Sequence, residues 1–85
     1  MQMLIIVNLS EQLNFEKWAE VYDGDAEKRA TFMKDSMYGK VNDQTAMVKF
    51  TVTNPEVMQA HMREKAPMFE ELGISHEVYT VAPAQ

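Results

Sequence analysis

The chain contains no cysteine, which excludes a disulfide framework, a thiol nucleophile and a thiolate metal site. Two histidines are too few for a His-rich zinc centre, and no metal is expected. Lys and Arg number 8 against 13 Asp and Glu, a formal net charge of -5, and phosphate-backbone binding needs clustered cations. Nucleic acid is therefore not an expected partner. Glycine and proline occur three times each, and no internal repeat, low-complexity run or linker is present. The apolar run Met3–Val7 is only five residues long with no basic stretch before it, so neither a signal peptide nor a membrane span is expected. These absences point to a cytoplasmic protein.

What is present suits a soluble globular domain: 46% of residues are hydrophobic and 25% charged. The length of 85 residues allows one domain, residues 1–85, and a small core. Single cores near this size seldom supply more than ~3–5 kcal/mol, so such a chain often leans on a partner.

Met3-Leu4-Ile5-Ile6-Val7 is rich in β-branched residues and too short for a helix, as in a central strand apolar on both faces. Phe15, Trp18, Ala19 and Tyr22 then fall at helical spacing, with Asn14 as the expected N-cap. Asp23-Gly24-Asp25 interrupts this helix, and Ala26, Ala30, Met33 and Met37 resume the spacing, which predicts one long helix bent near Gly24. From Met37 to Val41 the period changes, and Asn42-Asp43-Gln44 supplies a hairpin turn. In the second arm Ala46, Val48, Phe50 and Val52 share one face, opposite Thr45, Met47, Lys49, Thr51 and Thr53. Asn54-Pro55-Glu56 starts a second helix, through a capping Asn, a Pro at the first helical position and an acid at the positive end of the dipole. Its inward positions are Met58, Met62, Lys65 and Phe69, beside His61 and Leu72; Pro67 is expected to kink or divide it, and Gly73 to end it. Ser75–Val81 alternates as a last strand, followed by a dispensable tail, residues 82–85.

The order β-α-β-β-α-β predicts an α+β fold, a ferredoxin-like antiparallel sheet with two helices on one face. The first strand is apolar on its other face too, through Leu4 and Ile6. Apolar patches of several hundred Å² seldom stay bare on a monomer, so a homodimer closing sheet on sheet is expected.

Phe15-Glu16-Lys17-Trp18, then Val21-Tyr22-Asp23, Arg29-Ala30, and Tyr38 with Val41-Asn42-Asp43 ahead of the third strand resemble a group of small bacterial dimeric α+β-barrel proteins of unassigned function. The resemblance covers most of the chain. Relatives in that superfamily include antibiotic-biosynthesis monooxygenases, muconolactone-isomerase-like enzymes and haem-degrading monooxygenases. It implies a dimeric α+β barrel and a pocket between helices and sheet, with Trp18, Tyr22, Arg29, Phe32, His61 and Met62 as lining. Asn8 ends the first strand, where haem-degrading relatives carry an asparagine; their tryptophan, however, lies on the second helix and Trp18 on the first. No cofactor is expected.

Two chemistries are open to these residues. Arg29 either pairs with Asp25 one turn away on the surface or turns inward to grip a carboxylate at two points. His61, beside the apolar stripe, is a candidate base near neutral pH, whereas His76 reads as structural or interfacial. Met58, Met62 and Met68 supply deformable apolar walls. The expectation is a small dimeric enzyme without bound metal, acting on a small hydrophobic or aromatic compound with Arg29 and His61 as its catalytic groups. The alternative is a non-catalytic ligand-binding or interaction module using the same pocket or the dimer surface. Whether the chain is an enzyme is not decided by the sequence.

Overall fold

Backbone pairing of apolar, β-branched segments sets the frame of the molecule, whose computed structural model describes residues 1–84. The elements are β1 (Gln2–Asn8), α1 (Phe15–Gly24), α2 (Ala26–Arg29), β2 (Met33–Asn42), β3 (Thr45–Val52), α3 (Pro55–Leu72) and β4 (Ser75–Val81). Gln85, the end of the expected tail, lies outside the described residues. The sheet runs β2-β3-β1-β4, and every neighbouring pair is antiparallel. This is the α+β, ferredoxin-like arrangement, with the most apolar strand, β1, in the interior of the sheet.

Register decides which residues face the helices. Ile5 pairs with Val48 and Val78, and Val7 with Ala46 and His76, so these positions share one face. Ile5, Val7, Ala46, Val48, Phe50 and Val52 are buried there, together with Trp18 from α1 and Phe32 and Met33 from the chain after α2. The opposite face carries Leu4 with Lys49 and Tyr79, and Ile6 with Met47 and Glu77. Met47 and Tyr79 are exposed and Leu4 and Ile6 only half-buried. Among the described residues, no helix covers that face.

Local chemistry starts α1 and α3, and stops α3, as expected. The Asn14 side chain accepts from the Lys17 N–H and the Asn54 side chain from the Val57 N–H, each filling one orphan donor. Gly73 ends α3 in the left-handed region at φ 71°, where an added Cβ would stand 2.9 Å from Ser10 Cβ. Only glycine fits both the backbone angle and the approach. The Ser10 hydroxyl donates to the Leu72 carbonyl, tying the loop after β1 to the end of α3.

Two expectations are corrected. The single long helix does not extend past Gly24: α1 and α2 are separate, joined at Asp25, and Met33 opens a ten-residue strand instead. Ala26, Ala30, Met33 and Met37 fit a helical spacing locally, but pairing of β2 along β3 satisfies the backbone and buries Met33. Tertiary context outweighs local spacing here. Irregular pairing between Lys34 and Met37, with Asp35 at a positive φ of 54°, absorbs the polar residues in the middle of β2. Pro67, in turn, does not divide α3, which runs unbroken from Pro55 to Leu72. Pro67 and Arg63 are both exposed, on a side of the helix where water can replace the bond that the Arg63 carbonyl loses.

Candidate functional site

The helix stripes meet the sheet only in part. Trp18 is the one buried residue of α1, and α3 buries none: Met58, His61, Met62, Lys65, Met68, Phe69 and Leu72 are all half-buried. The side chains of α3 therefore stand over the sheet without filling the space beneath. A cavity of about 130 Å³ remains, floored by Ile5, Val7, Val48 and Phe50 and walled by Trp18, Tyr22, Phe32, Met58 and Met62. Apolar cavities of roughly 150 Å³ stay dry and accept one aromatic ring, so this volume is on the scale of a single ring.

Polar groups enter at the corner between α2 and α3. Arg29 turns inward. Its Nη1 donates to the Tyr22 carbonyl, and its guanidinium carbon lies 3.3 Å from the centre of the Tyr22 ring. The Nε is buried and has no hydrogen-bond partner among the described residues. No ion pair joins Arg29 to Asp25, although both line the cavity. A buried donor without an acceptor is costly, and a ligand oxygen would relieve it. The stacked ring holds the cation in place.

His61 projects from α3, its ring centre 4.9 Å from that of Phe32. Burial pushes its pKa below the ordinary histidine value, and the positive charge of Lys65 adds to the effect. His76 of β4 lines the same cavity, packs edge-on against Phe69 at 4.6 Å, and is likewise lowered by burial. Two imidazoles and one guanidinium thus surround an apolar space.

Among the residues named from the sequence, Trp18, Tyr22, Arg29, Phe32, Met58, His61 and Met62 are brought together. Asn8 is not. It shares the open sheet face with Leu4 and Ile6, and its amide donates to Glu77 at 3.1 Å. His76 and Asp25, neither of them in the expected lining, also border the cavity, and Lys65 joins them from the inward positions expected on the second helix. Strand parity is the signal for His76, since alternate residues of β4 face the helices and Val7 pairs with His76. Among the described residues, no cluster of three His, Asp or Glu side chains stands close enough to hold a metal ion, and no helix is long and apolar enough to cross a membrane.

By sequence, the chain matches no family model and no curated protein. By structure, it is similar to a protein from Deinococcus radiodurans described as a "putative antibiotic biosynthesis monooxygenase", with a TM-score of 0.53 and 11% identity, over 100% of this chain and 96% of that one. At that identity the likeness speaks for the fold alone.

Proposed function

We propose that the cavity binds a small aromatic or apolar compound carrying an acidic oxygen, and that the chain acts on it as a small enzyme. The observation that carries this reading is Arg29, whose inward-turned guanidinium leaves a buried Nε unpaired beside a ring-sized apolar space. The ring would lie against Trp18 and the oxygen would take the free donor. His61, favoured as the neutral imidazole by burial, is then a base for an acidic C–H or O–H of the ligand. Negative charge developing on the ligand oxygen is stabilised by the fixed guanidinium. Return of the proton at a second carbon is an isomerase-like reaction. Reaction of the anion with dioxygen is monooxygenase-like: a CH2 group becomes C=O, and the second oxygen atom leaves as water. In this reading residues 1–85 form one domain working as a homodimer, with the apolar sheet face of each copy covered by the other.

The test is titration with a panel of single-ring aromatic carboxylates and phenols, followed by fluorescence of Trp18, the only tryptophan. A saturable change is expected. Arg29→Ala should weaken binding by roughly 1.5–3 kcal/mol, the range for a hydrogen bond to a charged group, and Arg29→Lys should restore part of it. Binding that is indifferent to Arg29, or no binding across the panel, would overturn the reading.

A further inference from the structure

Four aromatic rings form one continuous contact from the cavity wall to the surface. Trp18 and Tyr22 stack at 5.0 Å and 27°. Tyr38 of β2 meets Trp18 edge-on at 5.5 Å and Tyr22 at 5.6 Å, and Phe15 closes the group at 5.8 Å from Trp18. Such geometry is ordinary aromatic packing. What packing does not require is the polar finish at the outer end, where the exposed Tyr38 hydroxyl donates to the Asp23 carboxylate at 3.0 Å.

From this arrangement we propose that the cluster is a route for oxidising equivalents, leading from Trp18 in the cavity wall to Tyr38 at the surface, with Asp23 as the proton acceptor. The oxidant is a one-electron oxidant of the organic peroxyl-radical class in the cavity. It takes an electron from the Trp18 indole and a proton from water, and becomes a hydroperoxide, while the hydroxide left behind passes to bulk solvent, where buffer protonates it. An electron then passes from Tyr38 to the Trp18 radical cation as the phenolic proton moves to Asp23. Trp18 is restored, Tyr38 is left as a neutral phenoxyl radical, and Asp23 as a neutral acid. The second transfer joins one positive and one negative centre into neutral products, so no charge is left in the apolar cluster.

The environment selects Tyr38 over Tyr22. The Arg29 cation lies on the Tyr22 ring and opposes removal of an electron from it. Among the described residues, the Tyr22 hydroxyl has as hydrogen-bond partners only the Ser36 hydroxyl and the Met33 thioether, both poor bases. Tyr38 has a carboxylate. Its bond to Asp23 also holds the phenol protonated above the usual tyrosine range, so the proton leaves upon oxidation and has an acceptor in place.

Photo-ionisation of the single tryptophan by a laser pulse, with an electron scavenger in solution, tests this on the protein alone. The tryptophanyl absorption should decay as a tyrosyl signal rises at the same rate. Tyr38→Phe keeps the ring packing and should lengthen the tryptophanyl lifetime by roughly tenfold or more, while Asp23→Asn should slow the tyrosyl rise by a similar factor. Tyr22→Phe should leave both nearly unchanged. A tryptophanyl lifetime equal in the parent and Tyr38→Phe, or a tyrosyl signal abolished by Tyr22→Phe or Tyr79→Phe instead, would overturn the proposal.

Discussion

Trp18 and His76 show how much hangs on single side chains in so small a core. Trp18 is 7% exposed and touches Phe15, Tyr22 and Tyr38. Truncation removes the largest side chain between α1 and the sheet and enlarges a space already present, so Trp18→Ala should cost about 3–5 kcal/mol. A thermal melt unchanged from the parent would contradict this. His76 gives a pH dependence whose sign follows from its burial. Burial disfavours the imidazolium in the folded chain, so its folded pKa lies below the unfolded value of about 6.5. The unfolded chain then binds more protons wherever the two differ. The stability linked to neutral His76 is complete above about pH 6.5 and is lost as the pH falls through the lower folded pKa. Melting temperatures measured from about pH 7.5 down to 5 should fall for the parent and fall less for His76→Leu. Equal slopes would show that His76 is not the group being charged. The site itself was readable where helical spacing decides, because Trp18 with Tyr22 and Met58 with Met62 must share a face of their helices. It was not readable where strand register decides. Asn8 shares parity with Leu4 and Ile6 and so leaves the cavity, whereas His76 enters it as the partner of Val7.

At the scale of elements, the ends are written in short-range chemistry and the choice between helix and strand is not always. Asn14, Asn54 with Pro55, and Gly73 mark their boundaries because each acts on backbone groups within one turn. The start of β2 is hidden for the opposite reason: Met33 and Met37 suit a helix until β3 is there to pair with. Two glycines at helix ends make a matched test. Gly24 closes α1 with open space where a Cβ would be, so Gly24→Ala should stabilise by up to about 1 kcal/mol through helix propensity. Gly73 has a left-handed backbone with Ser10 against it, so Gly73→Ala should cost roughly 1–2 kcal/mol for the backbone alone, with the contact adding to it. Denaturant midpoints of the two variants should therefore move in opposite directions. Movement in the same direction would refute the account of either end.

The whole molecule is two layers, helices on one side of a sheet whose other side is bare among the described residues. Helices close one side of the sheet, while Leu4, Ile6, Met37, Met47 and Tyr79 stand on the other, among Lys34, Lys49, Glu77 and uncharged polar residues. If a second copy covers this face, sedimentation at micromolar concentration should show a species of twice 9.8 kDa, and Ile6→Lys should convert it to the monomer. A parent protein that sediments as a 9.8 kDa species would remove the dimer. The bare face has a further consequence for folding itself. If a second copy supplies the cover for that face, folding is a reaction of order two, and the melting temperature should climb with protein concentration by mass action. In that case abundance would be a determinant of structure: on dilution the population would shift toward a looser monomer, and synthesis rate as well as sequence would set the fraction that is native.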